Sequence, residues 1–246
     1  MKSSPAITIS NACLQYQNQI LFDQLNFHIP AGQTTCLLGP SGIGKTSLLQ
    51  LIAKLNTSAR ADITASDQQN LESRIAYMPQ SNALLPWLSV ENNALLGYRL
   101  RGKNHATETE KAKMLLQQFG LTHVLKKYPA QLSGGMQQRV ALARVLLENK
   151  PVILMDEPFS SLDTITRYQL QTLSAQSFTC RTVLLITHDP LEALRLGHHI
   201  AIMSGQPAQI EYLTLALLED PPPRSLSNPK LLQWQSKLLD RLKETY

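Results

Sequence analysis

The sequence predicts an α/β fold built around a parallel sheet, and three observations predict it. The octet GPSGIGKT, Gly39 to Thr46, lies between an apolar, β-branched run, TTCLLG, and a run with apolar residues at helical spacing, SLLQLIAKL. PVILMDE and TVLLITHD are short apolar stretches of the kind that form central parallel strands buried on both faces. The helical pattern ITRYQLQTLSAQ lies between those two stretches and completes a βαβ unit.

The other elements follow along the chain. Residues 5–38 alternate β-prone runs (AITISNACLQY, LNFHI, TTCLL) with polar turns, and Pro30-Ala31-Gly32 separates two of them. The helix after Lys45 is expected to fade near Asn56. Residues 57–73 are polar and rich in Ser, Thr, Asp and Gln, which reads as a loop with one edge strand, and RIAYMP reads as a short strand. From about Ser89 to Leu147 the pattern is mostly helical, as in KAKMLLQQFG and QQRVALARVLLE. The cluster DPPPRSLSNP, Asp220 to Pro229, is a proline-rich connector to a last amphipathic helix, LLQWQSKLLDRLK. No internal repeat is visible.

A chain of 246 residues suits one large domain, or one domain with a subdomain. The hydrophobic fraction of 43% is ordinary for a soluble protein. No run approaches the roughly 18–20 apolar residues that cross a bilayer, and MKSSPAITIS is not a secretory signal, so a cytoplasmic location is expected. The net charge of +5 reads as solubility, and without a long Lys/Arg block nucleic acid is not an expected partner. Cys13, Cys36 and Cys180 are scattered, as free thiols in a reducing compartment would be. His105, His123, His198 and His199 lack metal-ligand spacing and read as surface or core residues.

The chemistry lies in a few strings. Gly39 to Thr46 fits G-x-x-x-x-G-K-[ST], in which backbone N–H groups close around phosphate oxygens. Lys45 adds a charge that reaches β- and γ-phosphates, Thr46 offers a hydroxyl to Mg²⁺, and the helix N-terminus adds partial positive charge. Strand, glycine loop and helix together indicate a nucleotide. VILMDEP ends an apolar strand in adjacent carboxylates: Asp156 suits the magnesium shell, and Glu157 suits a water-polarising base. LSGGMQQR, residues 132–139, is a second glycine-bearing turn opening a helix, with Ser133 suited to cap it. SSLD, residues 160–163, follows the carboxylates, and THD, residues 187–189, ends the next strand with His188 near the same edge.

In this order the strings resemble the ATPase subunit of an ABC transporter, from Tyr16 to about Met203: Walker A, Q-loop, signature, Walker B, D-loop and H-loop. The resemblance implies a RecA-like P-loop ABC ATPase core with an antiparallel β-subdomain and an inserted α-helical subdomain at about 82–150. The ATPase domain would span 1–219, and 220–246 would be the connector and C-terminal helix. Two copies would form a homodimer, head to tail, with ATP and Mg²⁺ between Walker A of one and the signature of the other. Carried onto this chain, Gly39, Pro40, Ser41, Gly42, Ile43, Gly44, Lys45, Thr46 and Ser47 would bind the phosphates. Thr46, Gln80 and Asp156 would hold magnesium, and Gln80 would also touch the attacking water. Ser133, Gly134 and Gly135 would reach the γ-phosphate across the dimer, where Asp163 makes the crossing D-loop contact. Glu157 would be the general base, His188 would contact the γ-phosphate, and Tyr16 would stack on adenine. The chain departs from the family at LGHHI, residues 196–200, where an acidic residue commonly precedes the strand, and it lacks the usual glycine-centred turn near 60–70.

SNALLPWLSVENN, residues 81–93, is similar to importers of the nitrate, sulfonate and taurine group and to relatives that carry pyrimidine precursors of thiamine. In that group LLPW follows the Q-loop and V-x-x-N comes next. Leu84, Leu85, Pro86 and Trp87 are apolar and suit either a groove for the coupling helix of a membrane permease or the core of the helical subdomain. The resemblance implies a peripheral subunit on the cytoplasmic face of the membrane, partnered by permease subunits and indirectly by an external solute-binding protein. A non-transport ABC ATPase of translation or DNA repair usually carries two nucleotide domains or a long coiled coil, and neither is visible here. Intact Lys45, Asp156, Glu157 and His188 argue against a regulatory subunit without turnover.

Overall fold

The computed structural model describes residues 4–16, 19–102, 106–213 and 220–245. Three strands, β1 (Ile7–Tyr16), β2 (Gln19–Ile29) and β4 (Arg60–Ala65), form an antiparallel sheet in the order β2-β1-β4. Six more form the main sheet: β3 (Thr34–Leu38), β5 (Ile75–Met78), β6 (Val152–Asp156), β7 (Thr182–Ile186), β8 (His199–Ser204) and β9 (Gln209–Leu213). Their order is β5-β6-β7-β3-β8-β9, parallel throughout except for β9, which returns antiparallel to β8.

Every residue of β3, β6 and β7 is buried, as unbroken apolar strands require. Alternation along them feeds two cores. Leu37, Leu154 and Leu184 face the small sheet and α1 (Lys45–Ile52). Cys36, Met155 and Leu185 face the helices. That second core is continuous. It joins α2 (Val90–Ala94), α4 (Ala106–Gln118) and α5 (Gly134–Leu147) to α6 (Thr164–Phe178), α7 (Pro190–Leu196) and α8 (Pro229–Lys243). A short α3 (Leu96–Leu100) has no buried residue. Leu231 and Leu238 of α8 are buried in the same core, with α8 lying on α7. Buried Arg224 in the connector ties the two together, donating to the carbonyls of Leu194 (2.6 Å) and Gly197 (2.7 Å) at the end of α7.

Several expectations change in detail. The loop expected at 57–73 holds the edge strand β4, as read. β2 starts at Gln19 rather than near Leu25, because Gln24 takes a left-handed conformation (φ 53°) that lets a polar stretch stay in the sheet. α1 ends at Ile52, short of Asn56. Lys54 is left-handed (φ 56°), and the N–H of Leu55 reaches back to the Gln50 carbonyl at 2.8 Å, a helix stop made without glycine. The missing glycine turn near 60–70 has a similar substitute. Gln68 adopts φ 55°, and Arg74 holds Asp67 beside it at 3.0 and 2.5 Å. At LGHHI the histidines dock on β3: the Thr34 N–H donates to His198 Nδ1 at 3.1 Å, and His199 Nε2 pairs with Gln33 Oε1 at 2.6 Å. His123 lies exposed in a short 3₁₀ turn, and His105 falls outside the described residues. Cys36 is buried, while Cys13 and Cys180 are exposed, and all three are free.

Candidate active site

The loop from Gly39 to Gly44 is squeezed between β3 and α1. Gly39 has φ 150°, and a Cβ there would lie 2.3 Å from the Met203 carbonyl oxygen of β8. Gly44 has φ 110°, and its Cβ would press on the Phe22 ring of β2 at 2.7 Å. Only glycine permits that approach, which draws both sheets against the loop. Gly44 caps α1 without any side-chain hydrogen bond, so the cap residue leaves the first N–H groups of that helix to a ligand. Lys45 Nζ donates back to the carbonyls of Gly39 (2.8 Å) and Pro40 (2.7 Å), closing the loop on itself. Burial pushes the lysine pKa down, and Glu157 and Asp156 oppose that shift.

The loop opens on a cavity of about 250 Å³. Ser41, Gly42, Gly44, Lys45, Thr46 and Ser47 line one wall, Gln80, Asp156 and Glu157 the other, and Leu21 the rim. A larger hollow of about 420 Å³ under β4 brings no carboxylate to its lysine. Thr46 Oγ1 donates to Asp156 Oδ2 at 2.6 Å, across 110 residues of sequence. Burial raises the Asp156 pKa, the Thr46 bond opposes this, and nearby Glu157 adds to it. A buried carboxylate and a hydroxyl, both oxygen donors beside a phosphate-shaped loop, fit Mg²⁺, which takes the rest of its shell from phosphates and water.

Glu157 has φ 51°, a costly conformation for a residue with a side chain. It is over-determined. Its N–H donates to the Ile186 carbonyl (2.9 Å), and its carbonyl accepts from Gln138 Nε2 (3.0 Å) and Ser160 Oγ (3.1 Å). The turn places the Glu157 carboxylate 3.4 Å from Nδ1 of His188, whose side chain is 63% exposed. Gln138 escaped the sequence reading. It is buried on α5, and its Oε1 also accepts from the Ser161 N–H at 2.8 Å. The signature helix is thereby pinned to the carboxylate turn. Its position inside LSGGMQQR was the one available signal.

Other residues singled out by sequence lie elsewhere. Tyr16 does not line the cavity; it ends β1 half-exposed, its hydroxyl accepting from Asn56 Nδ2 at 3.0 Å, and Leu21 lines the rim instead. Pro40 and Ile43 shape the loop without lining the cavity. Ser133 caps α5, its hydroxyl accepting from the Met136 N–H at 3.2 Å, and Ser133 and Gly134 face solvent away from the cavity. Gly135 backs onto the Ser161 carbonyl. Asp163 caps α6, accepting from the Thr166 N–H at 3.0 Å, and that bond holds its pKa below the usual carboxylate value. At the mouth of the helical region Leu84 packs on the core, whereas Trp87 is 69% exposed. Fully buried Asn93 clamps the segment between them: its Oδ1 accepts from the Leu85 N–H (2.8 Å), and its Nδ2 donates to the carbonyls of Leu85 (3.1 Å) and Leu88 (2.9 Å).

A family model described as ABC transporter matches residues 22–160. The chain belongs to this family, as an ATP-binding subunit. An uncharacterized ABC transporter ATP-binding protein of Haemophilus influenzae is 40% identical over 237 residues, covering 96% of this chain and 98% of that protein. The aliphatic sulfonates import ATP-binding protein SsuB of an Escherichia coli strain is 36% identical over 231 residues, covering 92% and 87%. Its Streptomyces avermitilis counterpart, SsuB 2, is 35% identical over 240 residues, covering 97% and 91%. Among solved structures, a dimeric ATP-binding cassette in a post-hydrolysis state with ADP and Pi superposes with a TM-score of 0.74 at 27% identity, covering 85% of this chain and 99% of that one. This ABC subunit binds ATP and is an ATPase. Among its described residues no helix is long and apolar enough to cross a membrane.

Proposed function

We propose that this ABC subunit is the motor of an importer for a small organic anion, an aliphatic sulfonate foremost. The observation that carries the ATPase half of this reading is the convergence of Lys45, the Thr46–Asp156 pair, Gln80 and Glu157 on one cavity. Two observations support the importer half: identity of 35–36% to sulfonate-import subunits over most of the chain, and the LLPW…VENN segment clamped by Asn93.

In this reading two copies pair head to tail. ATP lies against residues 39–47 of one copy, and Ser133, Gly134 and Gly135 of the other reach its γ-phosphate. Lys45 exchanges its two carbonyl partners for phosphate oxygens. Thr46, Asp156 and Gln80 hold Mg²⁺, which when bound neutralises charge on the β- and γ-phosphates. Glu157 takes the proton of the attacking water, and His188 contacts the γ-phosphate from the adjacent edge. Asp163 crosses to the partner, and Tyr16 meets the adenine edge. Closure drives the segment 82–150 as a lever against a permease, with Trp87 on the docking face. The subunit works on the cytoplasmic side of the membrane, and an external solute-binding protein delivers the anion.

Glu157→Gln keeps size and hydrogen bonding but removes the base. ATP binding is expected to persist while hydrolysis falls by at least about a hundredfold. Near-normal turnover would refute the role. Uptake assays with the reconstituted permease, comparing alkanesulfonate, taurine, nitrate and thiamine pyrimidine precursors, test the solute.

A further inference from the structure

Gln138 stands in α5, the helix that Ser133 opens, and only 2% of it is exposed. A buried amide costs free energy unless its donors and acceptor find partners, and here three bonds supply them. Nε2 donates to the Glu157 carbonyl at 3.0 Å and to Ser160 Oγ at 3.2 Å, and Oε1 accepts from the Ser161 N–H at 2.8 Å. The orientation of the amide follows from chemistry. A carbonyl can only accept and a backbone N–H can only donate, so Nε2 faces Glu157 and Oε1 faces Ser161. Gly135 of the same helix packs on this stretch too, since a Cβ on it would lie 3.2 Å from the Ser161 carbonyl oxygen.

The peptide groups of Glu157 are held from two elements. Its N–H donates to the Ile186 carbonyl of β7 at 2.9 Å. Its carbonyl accepts from the Ser160 N–H at 3.3 Å, from Ser160 Oγ at 3.1 Å and from Gln138 Nε2 at 3.0 Å. The two serine bonds lie within the turn and close it. The glutamine bond comes from another element and fixes where the closed turn sits. At φ 51° Glu157 is in a conformation that a residue with a Cβ keeps only while its surroundings outweigh the cost. That conformation sets the direction of the Cβ, and so of the side chain that lines the cavity with Lys45.

We propose that Gln138 is a positioning residue for Glu157: from the helix that carries Ser133 to Gly135 it holds the Glu157 carbonyl, keeps the turn left-handed and so aims the carboxylate at the attacking water. The inference rests on the role of base given to Glu157 above. Its chemistry is specific to an amide. Methionine has nearly the same length, but it leaves the Ser161 N–H without this acceptor and the Glu157 carbonyl without its donor from α5. Glutamate keeps an acceptor for Ser161 and turns an oxygen, not a donor, toward the Glu157 carbonyl.

The test is steady-state ATPase kinetics on the purified full-length chain, run well below the melting temperature recorded for each variant. Gln138→Met and Gln138→Glu are each expected to lower kcat about tenfold with KM for ATP within about twofold, since the phosphate loop is untouched. In the Glu157→Gln background, Gln138→Met is expected to leave the residual turnover within about twofold, because the base it positions is already gone. ATP-driven dimerisation in that background, read by gel filtration, is expected to persist. If neither Gln138 variant folds, Ser160→Ala carries the comparison. Ser160 is exposed, and losing its hydroxyl donor to the same carbonyl is expected to lower kcat about threefold at unchanged KM. Four results overturn the proposal: wild-type kcat in the variants that fold, a loss that appears in KM instead of kcat, a further loss of turnover in the Glu157→Gln background, or a failure to dimerise there. Each leaves the role of Glu157 standing, provided Glu157→Gln alone lowers turnover by at least about a hundredfold. Near-normal turnover in Glu157→Gln overturns both.

Discussion

Two glycine-bearing helix starts of the molecule are built differently. At the first, Gly39 to Ser47, left-handed glycines press the loop onto β8 and β2, and Gly44 offers α1 no side-chain cap. Lysine, threonine and two carboxylates converge in front of it. At the second, Ser133 to Gly135, the serine satisfies an N–H of α5 itself, and Ser133 and Gly134 face solvent. Both helix ends carry partial positive charge. The first is a pocket complete within one chain; the second is a surface that acts, in our reading, only when another copy supplies the ligand. Anion affinity at a helix start thus depends on what the rest of the fold brings to face it.

The comparison is sharpest at Lys45. Lys45→Ala removes the charge in the first pocket and frees the Gly39 and Pro40 carbonyls. ATP affinity or turnover of the isolated chain is expected to fall at least a hundredfold, roughly, with little change in melting temperature. Unchanged nucleotide binding and hydrolysis together would remove the distinction between the two starts.

A third helix start, α7, is fully capped by Asp189 but has Glu192 buried behind it. Burial pushes this carboxyl up to about 7 from 4.5, with Asp189 adding to the rise and Thr187, Gln171 and Arg167 opposing it. Arg195 and the Cys36 thiol are the other titratable groups that feel its charge. A carboxyl whose folded pKa lies above its unfolded value favours the fold while protonated. Its contribution therefore declines as pH rises from about 4.5 through about 7, by roughly 3 kcal/mol. Glu192→Gln is expected to flatten that decline. Urea midpoints at pH 5 and pH 8 check it: an equal pH slope in both proteins would place the carboxyl in an ordinary environment.

Ser133→Ala is the smallest change and addresses the second start directly. Loss of the cap costs about 1 kcal/mol. ATP affinity of the monomer is expected to stay the same, while ATP-driven dimerisation, read by gel filtration of the Glu157→Gln background, weakens. A drop in monomer affinity would mean that both starts serve one pocket.

The chemistry was legible in the sequence because each motif is a local device. A glycine loop between strand and helix, carboxylates ending a strand, and a serine before a helix act over a few neighbouring residues, and spacing reports them. The buried strands β3, β6 and β7 were legible for the same reason. What escaped notice lacks a local signature. Lys54 and Gln68 take left-handed conformations usually held by glycine, and Gln24 lets a polar stretch join β2. Gln138 and Arg224 look like surface residues until both are found buried, bonding main-chain carbonyls. Leu21 lines the cavity unannounced, because β2 begins earlier than its polar residues suggest.

By itself the sequence determined the family and the α/β order of elements, and it supplied the residues to which our reading gives the phosphate chemistry, since these depend on residue type at short spacing. Only the tertiary structure decided which of them share a pocket. Thr46 meets Asp156, Glu157 is turned to φ 51° beside His188, and Glu192 is buried behind that histidine, while Ser133 points away. Contacts between residues far apart in the chain, and the desolvation that follows from them, exist only once the sheet has brought β3, β6 and β7 side by side.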